Sequence, residues 1–184
     1  MDTADRLERI AATLADRGVN FVVIGGWAVE AQGYELGYKT EDIDFTPDLG
    51  PDNLDRLSQA LYDLDAKIRV DDQSLAFSHT GESLGRARVW NLTCDNGDFD
   101  LTFHPSGLDG YRELIKSSHL VSVEVDGHRI TFPCADLADI VHSKKTADRP
   151  KDNHVLPLLE AQLEQRNLDT TRHLDQDADL DLGL

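Results

Sequence analysis

Basic residues are scarce in this chain. Its 184 residues carry 18 Lys and Arg against 35 Asp and Glu, a formal net charge of -17. General nucleic-acid binding usually needs a basic surface, so that class is disfavoured. Cysteine is nearly absent, and Cys94 and Cys134 form no spaced framework. The pair fits a reducing cytoplasm and nothing more. Long apolar runs are missing as well: the longest, residues 21–29, is far too short to cross a bilayer. The opening "MDTADRLERI" has no basic segment followed by an apolar core, so no secretory signal is expected. There is no internal repeat and no Pro- or Gly-rich linker. These absences describe a soluble, cytoplasmic chain without a membrane partner. Its length suits one domain that buries a core without covalent staples.

The acid excess has its own implications. It suits a cationic small molecule or a basic protein partner. A nucleotide remains compatible, because Mg2+ bridges carboxylates and phosphates. Part of the excess lies in "RHLDQDADLDLGL", and residues 169–184 read as an acidic, disordered tail.

Residues 3–18 have helical periodicity, with Leu7, Ile10, Ala11 and Leu14 on one face and Gly18 as a stop. "VNFVVIG" reads as a buried strand and "GWAVEAQG" as a short helix. "DIDFTPD" reads as a second strand, and "PDNLDRLSQALYDL" as a helix with Pro51 near its start. Strands follow at "SLAFSH", "ARVWNLTC" and "FDLTFHP". "HLVSVEVDGHRITFP" is a hairpin turning at Asp126-Gly127. The segments 134–147 and 152–167 close the chain as helices. The expected class is α/β (α+β), a small mixed sheet flanked by helices. Residues 1–133 form the catalytic core and 134–168 a helical part of the same unit.

The chemistry concentrates in "VVIGGWAVEAQGYELGYKTEDIDFTPD". Alternate strand residues share a face, so Asp42 and Asp44 project together while Ile43 and Phe45 point the other way. Two like charges on one edge are costly unless a cation sits between them, and carboxylate oxygens suit Mg2+. Gly25 and Gly26 fall where a strand turns into a helix and would let the backbone approach a phosphate. A third acid lies in "GDFDLTFHP". Asp100, flanked by Phe99 and Leu101, is favoured over Asp98, which has the same parity but sits beside Gly97. Three aspartates holding one or two Mg2+ ions would lower a hydroxyl's pKa and neutralise a leaving pyrophosphate. Trp27 and Trp90 read as core, and the histidines show no metal-ligand spacing.

This conjunction resembles the nucleotidyltransferase superfamily named for DNA polymerase beta. It has a Gly-Gly turn, a short helix, an Asp-x-Asp on the next strand and a later third acid. Fifteen residues separate Gly26 from Asp42. Further on, "SKKTADRPKD" gathers Lys144, Lys145, Arg149 and Lys151, cations able to clamp a triphosphate. Asp152 also suits an N-cap for the last helix. The Ser-Lys step followed by Arg-x-Lys-Asp resembles the AbiEii/MenT toxin nucleotidyltransferases. That resemblance implies functional roles for Asp42, Asp44, Lys144 and Asp152. It also implies NMP transfer from an NTP, for some members a pyrimidine such as CTP, to the 3′ end of tRNA, and a cognate antitoxin. Some antitoxins of that group are kinases, which marks Thr40, two residues before Asp42, as a regulatory phosphorylation position. The alternative is an antibiotic nucleotidyltransferase of the aminoglycoside or lincosamide kind, to which "GGWAVEAQG" followed by "DIDF" is also similar. Cationic substrates of that kind suit an acidic cleft.

Overall fold

A computed structural model describes residues 3–71 and 73–181, the side chains of 173–181 excepted. The chain runs α1 (Thr3–Asp16), β1 (Phe21–Ile24), α2 (Gly25–Ala31), β2 (Asp42–Pro47), α3 (Pro51–Asp63), β3 (Lys67–Val70), β4 (Gln73–Leu75) and α4 (Gly81–Leu84). It continues as β5 (Val89–Cys94), β6 (Gly97–Thr102), α5 (Tyr111–Ser117), β7 (His119–Val125), β8 (His128–Cys134), α6 (Leu137–Ala147), α7 (Pro150–Asn153) and α8 (Leu156–Asp181). Among the described residues eight strands join one mixed sheet in the order β4-β3-β5-β6-β2-β1-β8-β7. The expected mixed sheet with flanking and C-terminal helices is therefore the observed architecture.

Parity divides the central strands into an apolar and a polar face. β2 pairs parallel with β6, placing Ile43 beside Phe99 and Phe45 beside Leu101. All four are fully buried, and the Phe45 ring meets Phe21 edge-on at 5.3 Å. α1 packs against β6, β7 and β8 and touches α3. Its buried residues include Leu7, Ile10, Ala11 and Leu14, the face that the helical period singles out. The same register sets Asp42 beside Asp98 and Asp44 beside Asp100 on the opposite face. Trp27 is buried against Phe132, and half-buried Trp90 donates Nε1–H to the Leu84 carbonyl at 3.0 Å.

Several elements differ from the sequence reading. "SLAFSH" is not a full strand: only Gln73–Leu75 pairs, at the sheet edge. Phe77 and His79 instead turn inward and pack on Trp90 and Tyr62. β3, α4 and α5 were not anticipated, because "KIRV" is half polar and the two helices are only a turn or two long. The last helix is interrupted. α6 stops at Asp148, whose φ of 47° is left-handed, Pro150 opens α7, and the expected helix over 152–167 is split because α7 ends at Asn153 and α8 begins at Leu156. Asp152 lies inside α7 and does not cap α8. Helical backbone continues through Asp181 into the segment read as an acidic tail, while residues 182–184 lie outside the described residues.

One clamp ties the C-terminal helices to the sheet. Asp136 caps α6 by accepting from the Ala138 N–H, and also accepts from Arg166 on α8 and pairs with His119 on β7. Burial pushes its carboxyl up, but the bonds from Arg166, His119 and Ala138 outweigh it and hold it down at about 2. A depressed carboxyl stabilises the fold above its unfolded value near 3.8, and that contribution disappears as pH falls towards 2. The substitution Asp136→Asn should therefore cost about 1–2 kcal/mol at neutral pH, allowing for solvent screening. The deficit should shrink between pH 4 and 2 in urea titrations, and a deficit unchanged across that window would contradict the clamp.

Candidate active site

β1 delivers the chain to Gly25, and β2 returns antiparallel beside it, pairing Ile24 with Asp44. Gly25 has φ of +81°, a conformation that side chains disfavour. A Cβ there would lie 2.0 Å from Asp44 Oδ2. The glycine is thus required by the carboxylate lying over its backbone. Gly26 is similarly close to its neighbours: a Cβ would sit 2.6 Å from Thr40 Oγ1. We expect Gly25→Ala to displace the Asp44 carboxylate and to destabilise the fold by about 1–3 kcal/mol through backbone strain. Thermal melting together with a transfer assay would check this, and a variant with wild-type values for both would remove the requirement.

The carboxylates meet on the polar face of the sheet. Asp44 has its carboxyl raised to about 7, first by burial and then by the neighbouring charges of Asp42 and Asp100. Lys144 and Lys151 pull in the opposite direction, so α6 and α7 bring cations within range of the aspartates. Burial also raises the Asp100 carboxyl, against the pull of Arg69. Tyr38, 50 % exposed, stands near the same group. Burial raises its hydroxyl, as do the charges of Asp152, Asp42, Asp44 and Glu30.

Lys144 and Asp152 are close to each other before they are close to anything else. Lys144 Nζ donates to Asp152 Oδ1 at 2.6 Å, with side-chain exposures of 10 % and 3 %. Arg149 Nε donates to the other oxygen, Oδ2, at 2.7 Å. Burial pushes Asp152 up, but Lys144 and Arg149 more than reverse it and hold its carboxyl below the usual range. Lys145 is engaged elsewhere, in an ion pair with Glu160. Lys151 is exposed.

Three side chains of this region escaped the sequence reading. Arg69 on β3 donates from Nη2 to Asp100 Oδ1 at 2.7 Å and from Nη1 to Asp98 Oδ2 at 3.1 Å. Asn91 on β5 lies opposite Asp100 in the ladder, and with its amide oxygen and nitrogen exchanged, the orientation that pairs donor with acceptor, the nitrogen is 3.3 Å from both Asp100 oxygens. Tyr38 is the third. A cation at the polar parity of "KIRV" was the available signal for Arg69, but β3 had not been recognised as a strand. Thr40 precedes β2 instead of lying on it, so strand parity does not aim its hydroxyl. It is 6 % exposed and packed against Gly26. A kinase would need that segment to open before reaching it.

The donor set suits a hard divalent cation in its chemistry. Asp42 and Asp44 offer oxygen only, and the raised Asp44 carboxyl marks negative charge that a cation would relieve. The third aspartate is less available. Among the described residues, no group of three or more His, Cys, Asp or Glu side chains is drawn together to hold a metal ion. Asp100 is turned instead towards Arg69 and Asn91.

No family model matches the chain, and no curated protein matches it by sequence. Solved structures do match. A lincomycin-bound lincosamide antibiotic adenylyltransferase, LnuA, superposes with a TM-score of 0.53 at 16 % identity, covering 84 % of this chain and 94 % of that one. The antibiotic-resistance factor ANT(2'')-Ia superposes with a TM-score of 0.54 at 16 % identity, covering 99 % of this chain and 96 % of that one. The fold is that of the nucleotidyltransferases. Among the described residues no helix is long and apolar enough to cross a membrane.

Proposed function

We propose that the protein is a metal-dependent nucleotidyltransferase acting on a small cationic compound with a free hydroxyl, of the aminoglycoside or lincosamide kind. One observation carries the reading: Asp42 and Asp44 share a face of β2, Asp44 lies over the Gly25 turn and beside Asp100, and Lys144 and Lys151 are in electrostatic range of it. It supports the reading because acids that would serve a cation and an acceptor then lie near cationic side chains that would meet a triphosphate. Asp42 and Asp44 would hold a divalent ion, which when bound supplies Lewis-acid activation of the α-phosphate. The acceptor oxygen bonds to the α-phosphorus, the bond to the departing pyrophosphate breaks, and the hydroxyl proton passes to a carboxylate of the cluster. Exposed Lys151 is free to meet phosphate, whereas Lys144 contributes its field from within the Asp152 pair.

The acceptor is argued from charge. A chain with net charge -17 attracts a polycationic drug and repels a tRNA backbone. Both well-matched structures carry antibiotic names. The toxin reading, with a tRNA acceptor end and a cognate antitoxin, draws no comparable support and yields to its alternative. The deciding experiment offers labelled ATP, GTP, CTP and UTP with Mg2+ or Mn2+ to three acceptors: an aminoglycoside panel, a lincosamide panel and total tRNA. Label on a small molecule is expected. Label on tRNA alone would overturn the acceptor, and no label on any acceptor would overturn the activity.

A further inference from the structure

The polar face of the sheet carries a row of side chains that continues past the aspartates. Asp44 on β2 is in register with Asp100 on β6, and Asp100 with Asn91 on β5. β5 pairs antiparallel with β3 through Lys67–Thr93 and Ile68–Leu92, so one further step brings Arg69 beside Asn91. Carboxylate, carboxylate, amide and guanidinium thus follow one another across four strands. The guanidinium sits over the β6 acids, 2.7 Å from Asp100 and 3.1 Å from Asp98. It is packed in place: the Arg69 side chain is 28 % exposed, and its Nε is buried without a partner. With its amide turned so that the nitrogen faces Asp100, Asn91 donates to both carboxylate oxygens at 3.3 Å and adds to the Arg69 bond.

We propose that Arg69 takes the place of a second cation, so that the site works with a single divalent ion held by Asp42 and Asp44. The inference rests on the nucleotidyltransferase reading and specifies how its acids are used. Four carboxylates on one sheet face, Asp42, Asp44, Asp98 and Asp100, need positive charge to be tolerated. In this chain a fixed guanidinium supplies part of it from β3. An arginine bonded to carboxylates is always charged and is not easily displaced, because leaving would break two charge-assisted bonds and deprive Asp98 and Asp100 of their cation. Asp100 therefore does not turn to meet a metal, and Arg69 acts as its positioning residue.

The test counts ions. The whole chain is titrated with Mn2+ in the presence of a saturating α,β-methylene nucleoside triphosphate analogue, which binds without reacting. Bound Mn2+ is measured by electron paramagnetic resonance. One ion per chain is expected for the wild type. Arg69→Gln removes the charge while keeping a polar side chain, and should admit a second ion. Arg69→Lys should stay at one. Two ions on the wild type would overturn the proposal and leave the nucleotidyltransferase reading intact. An Arg69→Gln protein that folds by circular dichroism and still binds one ion would also overturn it. If that variant does not fold, the wild-type count decides alone. No ion bound to the wild type with the analogue present, and none lost in Asp42→Asn, would defeat the metal-dependent reading itself.

Discussion

Replacing Asp44 by Asn should cut transfer on the order of a hundredfold or more, the scale of losing one electrostatic partner to transition-state charge, while making the metal-free fold more stable. The two effects have one cause. Asp44 is held close to Asp42 and Asp100 and over the Gly25 backbone, and its carboxyl is raised to about 7 by burial and by those neighbours. In the unfolded chain the same group ionises near 3.8. Between pH 4 and 7 the unfolded state therefore binds fewer protons than the folded one, so wild-type stability falls as pH rises through that window. Asn cannot ionise and escapes the fall. The melting temperature of Asp44→Asn relative to wild type should rise from pH 4 to 7, level off above it, and lose part of its advantage when Mg2+ is added. Near-normal transfer by the variant, or a pH-independent difference in melting temperature, would remove Asp44 from its proposed role. Asp42→Ala should lose transfer to a similar extent.

Lys144→Ala should be the most destabilising single change in the C-terminal part. Removing one partner of a buried ion pair leaves the other charge uncompensated and costs about 3–5 kcal/mol. Asp152 would retain only Arg149, which is more than half exposed. In a chain of this size that corresponds to a fall in melting temperature of roughly 6–20 °C. Lys145→Ala, which breaks an exposed pair with Glu160, should change stability by less than about 1 kcal/mol. The double substitution Lys144→Met with Asp152→Leu should recover much of the loss, because a buried pair replaced by apolar groups of similar volume is often tolerated. A melting temperature for Lys144→Ala indistinguishable from that of Lys145→Ala would show that the buried pair does not hold α6 to α7. Transfer by Lys144→Ala should fall as well, since the loss frees the Asp152 charge near the aspartates.

Much of the site was legible locally. The Asp-Ile-Asp step declares two carboxylates on one face and two apolar residues on the other, because the strand period is two and needs no distant information. The Gly-Gly pair between an apolar run and a helical one marks the turn. The structure adds a reason the composition did not offer, that Asp44 occupies the space of a Cβ. The helical period of α1 and the Asp126-Gly127 hairpin were likewise readable within short windows. Those features depend on residues a few positions apart, and their physics is local.

What the tertiary structure decided depends on partners far away in the chain. Register between β2 and β6, not parity within β6, sets Asp100 beside Asp44 and Asp98 beside Asp42. The recruitment of Arg69 needs β3 to pair with β5, a short and half-polar strand whose place only the assembled sheet defines. Lys144, read as a phosphate clamp, is a buried partner of Asp152 because the chain turns at left-handed Asp148 and brings α7 back to the end of α6, with α8 packed against both. Thr40, marked as a regulatory position by its nearness to Asp42 in the chain, is buried and packed against Gly26, just before β2 begins at Asp42. By itself the sequence determined which residues carry charge and which face of a strand they share. Only the long-range pairing of strands and helices decided which of those charges neutralise each other, and so which stay available for chemistry.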